Sequence, residues 1–245
     1  MGMRVEFLQF MVRDCVYRSG LRMPRHAHDY SNVSVIVAGE IDEACGGGEY
    51  RGHPFSVVFK PAGSEHENRI GRAGARMLTI ELRRDLPLPD RPWTWFEEPE
   101  IVRSAIALAR ARSASDLEAR GFELLAEVFA ARRCTTAAPA WMSEVTRILD
   151  CRFDEPLRFD CIARQVGVHP VYLSRAFQRH AGRSMQQYVR ALRLRRARQL
   201  LATHGRSITD VAADCGFADS SHLCRTFNDL LDVTPKIYRR LCAEV

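Results

Sequence analysis

The chain has no run of about 18 apolar residues, so no membrane-crossing helix is expected. Its opening, Met1-Gly2-Met3-Arg4-Val5-Glu6, lacks the apolar stretch of a secretory signal. It has no Cys-x-x-Cys pair either. The eight cysteines, at 15, 45, 134, 151, 161, 215, 224 and 242, are scattered. Cys161 and Cys215 fall at apolar positions of expected helices, which points to reduced, mostly buried thiols in a cytoplasmic protein. A charge excess is missing from residues 1–140, which hold 19 basic and 19 acidic side chains. Residues 141–245 hold 17 and 11, so the whole net charge of +6 lies there. What is present is ordinary globular material, 46% apolar and 27% charged, in a chain of 245 residues with room for two domains.

The charged part contains one unit twice. Leu173-Ser174-Arg175-Ala176-Phe177 returns fifty positions later as Leu223-Cys224-Arg225-Thr226-Phe227. Ile162-Ala163-Arg164-Gln165-Val166-Gly167 is matched by Val211-Ala212-Ala213-Asp214-Cys215-Gly216, and Tyr188 by Tyr238. A helix, a glycine turn and a second helix is the layout of a helix-turn-helix, whose second helix enters the DNA major groove. A basic excess belongs where phosphates are neutralised, although a basic face is more often simply solvated.

Periodicity places a helix over about 141–151, with Trp141, Val145, Ile148 and Leu149 on one face. The next runs to about Val166, with Asp160 as its cap, and Pro170 opens another that runs to about Arg179. Leu173 and Phe177 turn inward there, leaving Val171, Ser174, Arg175 and Gln178 as groove-facing candidates. In the second copy, Ser207 with Asp210, then Asp219 or Ser220, supply caps. Leu223 and Phe227 turn inward, and Ser221, Cys224, Arg225 and Asn228 outward, with Ser220 and His222 beside them. Residues 184–203 read as a connecting helix with Met185, Val189, Leu192, Leu200 and Leu201 on its apolar face and arginines elsewhere. Its length of roughly 28 Å approaches the ~34 Å between successive major grooves on one face of DNA. Leu, Phe and Ala at helical spacing usually mean core alone; that match in length, with the repeated outward arginine, is what favours DNA.

These residues resemble the AraC/XylS family of bacterial transcription regulators. The likeness lies in Gly167-Val168-His169-Pro170-Val171-Tyr172-Leu173-Ser174-Arg175-Ala176-Phe177, in Gly216 to Leu223, and in Thr234-Pro235-Lys236-Ile237-Tyr238-Arg239-Arg240, and covers about residues 143–241. Asp232 departs from the family's usual glycine; Gly182 is its counterpart in the first copy. A non-glycine residue costs stability there if φ is positive.

Residues 1–88 read as short β segments, with strands at 32–37, 55–59 and 77–82 and a hairpin turn at Gly46-Gly47-Gly48. His26-Ala27-His28, before a strand that ends at Gly39, and Pro61-Ala62-Gly63-Ser64-Glu65-His66 together resemble the cupin barrel, over about residues 20–82. That resemblance implies convergence of His26, His28 and His66 inside a barrel, as an effector site or as metal ligands. Asn32 stands where metal-binding cupins carry glutamate, and an amide oxygen is a poor ligand for a transition metal. Glu65 and Glu67 lie off the family's ligand position. No cofactor is therefore expected, and the histidines suit an anionic or hydroxylated effector.

Residues 99–133 read as two helices with apolar stripes, Ile101 to Leu108 and Leu117 to Phe129, which either pack on the barrel or form a dimer contact. Cys134 to Ala140 is the expected linker. The expectation is an α+β multidomain protein. A cupin-like sensor spans 1–88, a helical segment 89–133, a linker 134–140, and an all-α domain with two helix-turn-helix units 141–245. Its function would be sequence-specific control of transcription. Expected partners are double-stranded DNA and a small-molecule effector, with RNA polymerase and a second copy of the chain as further candidates. The rivals are a constitutive DNA binder whose barrel only dimerises and a metal-dependent cupin enzyme tethered to DNA.

Overall fold

The computed structural model describes residues 3–83, 88, 91–130, 138–203 and 205–243. They form two compact units, Met1–Ala131 with Asn228–Val245, and Arg132–Phe227.

The first unit is built on antiparallel strands: β1 (Met3–Glu6), β2 (Phe10–Tyr17), β3 (Arg22–His26), β4 (Asn32–Cys45), β5 (Gly48–Gly52), β6 (Val57–Lys60), β7 (His66–Leu82) and β8 (Thr94–Phe96). They pair in the order β1-β2-β7-β4-β6-β8, with β3 on β7 and β5 on β4. The two ends of that path, β1 and β8, do not pair among the described residues. The sheet is therefore open, and the closed cupin-like barrel expected from the histidine motifs is not what the pairing gives.

Two long strands organise this sheet. The first half of β4 pairs with β6 and its second half with β5; β7 changes partner from β3 to β2 in the same way. Between the halves the β4–β7 register slips at 36–38 and again at 39–41. Gly39 has φ +79, and a Cβ on it would lie 2.0 Å from the Gly74 carbonyl oxygen. Glycine there permits a bulge, and β4 continues past it, so the strand expected to end at Gly39 runs on to Cys45. The expected hairpin turn is present, at Gly46-Gly47 between Cys45 and Gly48. The strand expected at 55–59 begins later, because Phe55 has φ +62 and belongs to the turn before β6.

Alternation along β4 separates two faces. Val33 and Val35 join Phe59 and Ile80 in a fully buried core. Onto it pack α1 (Pro99–Ala109) and α2 (Ala114–Ala130), whose Phe129 ring meets Phe59 edge-on at 5.5 Å. The apolar stripes of both helices are buried in this contact: Ile101, Val102, Ile106, Leu124 and Val128 are all within 2% of full burial. Packing within the unit is what buries those stripes.

The second unit is helical: α3 (Met142–Cys151), α4 (Phe159–Gln165), α5 (Pro170–Ala181), α6 (Met185–Ala202), α7 (Ile208–Asp214) and most of α8 (Ser220–Leu231). Met142, Val145, Leu149, Ile162, Leu173, Phe177, Met185 and Val189 form one core. The caps are local chemistry. Ser184 and Gln187 make a reciprocal capping box for α6, and Ser207 accepts from the Asp210 amide at the start of α7. Asp219 accepts from His222 N–H at 2.7 Å, opening α8. Asp160 does not cap α4. The helix begins at Phe159, so Asp160 lies in its first turn and holds Arg158 and Arg164. Cys161 is exposed, against expectation, whereas Cys215 is buried.

The last helix, α9 (Pro235–Cys242), belongs to the first unit, together with the end of α8. Tyr238 is fully buried there; its hydroxyl donates to the Pro54 carbonyl at 2.9 Å and its ring packs on Phe55. Residues 228–243 thus pack with the sheet although the repeat runs through them. Asp232, before α9, has φ +54, the left-handed conformation Gly182 adopts at φ +71 in the first copy. Residues 134–137 of the expected linker lie outside the described residues.

Candidate nucleic-acid interface and ligand cavity

Each helix-turn-helix presents its second helix in the same way. On α5, Leu173 and Phe177 are buried at 0% and 1% exposure, which turns Val171, Ser174, Arg175 and Gln178 to solvent. Pro170 fixes the first turn and the His169 ring caps it by accepting from Val171 N–H. On α8, Leu223 and Phe227 are both at 0%, and Ser221, Arg225 and Asn228 are exposed. Ser220 and His222 are half-buried; the His222 ring stands edge-on to Phe217 at 5.3 Å, so it also braces the turn. Burying two large side chains at about 1.5–3 kcal/mol each fixes the rotation of a reading helix about its own axis. The two arginines fifty residues apart therefore occupy equivalent exposed positions.

One further exposed group on α5 escaped the sequence pattern. Tyr172 is 53% exposed beside Val171 at 52%, with its ring edge-on to Trp141 at 5.9 Å. A flanking tyrosine next to an inward leucine carries no periodic signal. The arginines of α6 are not one surface row. Arg195 and Arg196 are exposed, Arg198 is buried, and Arg193 donates to the carbonyls of Phe153 and Glu155 at 2.6 and 3.0 Å.

In the first unit, the face of β4 opposite the helices looks into a cavity of about 220 Å³. It is lined from β2, β3, β4, β6 and β7, and by His28 and Tyr30 between β3 and β4. The structure brings His26, His28 and His66 together there, with ring centres 4.4–5.3 Å apart. His26 ends β3 and His66 begins β7, and the two are register partners. Their Nδ1 atoms face the carbonyls of Pro24 and Ser64 at 2.8 and 3.0 Å. Donation to those carbonyls leaves each Nε2 as an acceptor.

The charged groups around the cavity are paired. Arg13 donates to Glu81 at 2.8 Å and Tyr30 to the same carboxylate at 3.0 Å. Lys60 and Glu43 form an ion pair with both side chains almost wholly buried. Burial raises the Glu43 carboxyl, with Lys60 acting against it. Burial and then Lys60 push the His66 imidazole down to about 4, and burial followed by His26 lowers His28. Glu43 Oε2 and His66 Nε2 are buried without a hydrogen-bond partner among the described residues, and Nε2 lies 3.7 Å from Glu43 Oε1. Glu43 is not among the residues that line this cavity, so of these two atoms only His66 Nε2 belongs to its wall, and an unpartnered acceptor there calls for a donor. Neither Glu43 nor Lys60 was singled out in the sequence. Lys60 has Asn32 as its strand partner and Glu43 has Asn68 and Tyr50, so strand pairing does not join them and only the folded sheet brings them together.

The donor set bears on a metal. One ligand atom from each histidine lies within 4.8 Å of the others. Imidazole nitrogens bonded to one ion at about 2.1 Å stand roughly 3–3.5 Å apart in tetrahedral geometry, so the triad must contract to hold one. Asn32, buried beside the cavity, accepts from Ser34 and takes no part in the triad's hydrogen bonding. A second depression, of about 680 Å³, is lined by Arg22, Arg51, Arg69, Asp42, Glu49 and Glu67 among others. Its charges alternate across the sheet, as a solvated face does.

Comparison with known proteins places the repeat. A helix-turn-helix domain family matches residues 162–241. The regulatory protein PocR of Salmonella typhimurium is 31% identical over 99 residues, 40% of this chain and 33% of PocR. The melibiose operon regulatory protein of Escherichia coli K12 is 31% identical over 104 residues, 42% of this chain and 34% of that protein. Among solved structures, a Chromobacterium violaceum transcriptional regulator described as AraC-type is 34% identical, over 42% of this chain and 92% of that one, with a TM-score of 0.40. The chain spans about a third of the length of the curated relatives it matches.

Proposed function

We propose that the chain is a regulator of the AraC/XylS type, through its helix-turn-helix domain, and that it controls transcription by reading two successive stretches of major groove. One observation carries this: the exposed faces of α5 and α8 repeat at fifty-residue spacing, each set by a fully buried Leu–Phe pair. The 18-residue α6 between the two units spans about 27 Å, close to one turn of DNA. Arg175 and Arg225 pair with guanine edges, for which arginine's fork geometry is suited. Val171, Ser174, Gln178, Ser220, Ser221, His222 and Asn228 supply the surrounding apolar and polar contacts. Residues 141–245 act as the DNA-binding domain.

The cavity serves as the effector site, with His26, His28 and His66 on its wall. Because Arg13 and Lys60 already have carboxylate partners, the cavity favours a small hydroxylated molecule over a free anion. The free acceptor of His66 suits its donor groups. The same three histidines are the residues that would hold a divalent cation, which would supply a positive centre for an effector oxygen. No catalytic step is assigned to the chain.

Selection from a randomised DNA duplex library with the full chain tests the reading. Enrichment of two short elements about one helical turn apart is expected. Recovery of sequences with a single element, or none, would refute it.

A further inference from the structure

The short loop between α3 and α4 is held from two sides by later parts of the chain. Arg193, midway along α6, donates from Nε to the Phe153 carbonyl at 2.6 Å and from Nη2 to the Glu155 carbonyl at 3.0 Å. From the other side comes Gly216, the turn between α7 and α8. A Cβ on Gly216 would lie 2.2 Å from the Asp154 carbonyl oxygen and 2.7 Å from its carbonyl carbon and Cα. The loop leads directly into α4, so it links the first helix-turn-helix to the turn of the second by a route other than the length of α6.

This arrangement breaks the duplication. Gly167 has nearly the same φ as Gly216, +72, yet a Cβ there meets nothing within 4 Å. Position 243, fifty residues after Arg193, is alanine. The contact is therefore a property of the junction and not of the repeated unit. Arg193 is half-buried, and burial holds its guanidinium below the usual range while Asp154 opposes that. Desolvating a cation against two carbonyls is costly, and it brings geometric precision in return because the planar fork engages both acceptors at once.

A single connecting helix sets how far apart two reading helices stand, but it leaves each helix pair free to rock about its own packing contact. A second attachment removes that freedom. We propose that Arg193, acting through the 153–155 loop, fixes the separation and angle of α5 and α8, and thereby the spacing between DNA elements that the chain accepts. This makes Arg193 a positioning residue. The inference rests on the reading of α5 and α8 as base readers.

The test uses the full chain and the sequence it enriches from the randomised duplex library, together with duplexes in which the spacer is one base pair longer or shorter. One base pair displaces an element by about 3.4 Å and turns it by about 34°. The wild-type chain should lose about tenfold in Kd on either altered spacer, the effect of one poor base-pair contact. Arg193→Met keeps the apolar stem and loses both donors; its loss on the altered spacers should fall to about threefold or less. Arg193→Lys cannot bridge two carbonyls with one fork and should lie between, which keeps the test open if the methionine variant unfolds. Far-UV circular dichroism confirms folding of each. A wild-type spacing ratio in folded Arg193→Met or Arg193→Lys, with affinity reduced or not, overturns the inference alone. A wild-type chain that enriches no two-part site overturns the parent reading and this one with it.

Discussion

Two glycines that look alike in the sequence should respond very differently to alanine. Gly167 and Gly216 both close a helix-turn-helix with φ +72. Alanine in the left-handed region costs roughly 1–2 kcal/mol from its Cβ, offset by about 0.4–1 kcal/mol because the unfolded chain loses freedom. Gly167→Ala should therefore destabilise by about 1 kcal/mol, since the site is otherwise open. At Gly216 the same term acts, and the new methyl also falls 2.2 Å from the Asp154 carbonyl oxygen, a backbone atom that cannot rotate away. Overpacking of that kind adds about 1–3 kcal/mol, for a total near 3 kcal/mol. Urea denaturation, followed by Trp141 fluorescence in a Trp93→Phe, Trp95→Phe background, reports on the helical unit. Equal losses at the two glycines, within about 0.5 kcal/mol, would refute the steric argument.

Lys60→Met should destabilise the sheet unit by about 3–5 kcal/mol, because Glu43 is left buried without its cation, and adding Glu43→Gln should restore most of that loss. A double variant as unstable in thermal denaturation as the single one would show that the pair is not the cause. Tyr188 gives a pH signature: burial and then Asp150 push its hydroxyl up to about 12 from an ordinary 10. A raised folded value means that the stability is intact below pH 10 and is lost as pH rises toward 12. Tyr188→Phe should flatten that alkaline decline, and an unchanged slope would exclude the tyrosine as its source.

The helical half was legible in the sequence because its signals are local. Helix caps, glycine turns and inward Leu–Phe pairs all act within a few residues, and the repeat doubles them. What escaped there depended on distant contacts. Arg193 reads as one more surface arginine until the Phe153 carbonyl is placed beside it. The sheet half was legible only in pieces. Val33 and Val35 announced a strand, but nothing local shows that β4 carries past Gly39 to Cys45 or that Lys60 meets Glu43. The histidines were found because they come in a close motif, and register brought them together: His26 opposite His66 on β3 and β7. Closure of the barrel was inferred from those same motifs, and motifs do not determine which strands pair at the edges. The buried docking of Tyr238 was hidden by the repeat itself, since Tyr188 at the equivalent position bonds Asp150 within its own unit.

The most direct test compares the full chain with Arg175→Ala and Arg225→Ala variants on the duplex enriched by selection and on an unrelated duplex of equal length, at fixed salt. If these arginines read bases, each variant should lose about 1–3 kcal/mol on the enriched site and almost nothing on the unrelated one. The loss should vanish when the guanine facing that arginine is replaced. An equal loss on both duplexes would make the arginines phosphate contacts, and no loss on either would contradict the account of two reading helices.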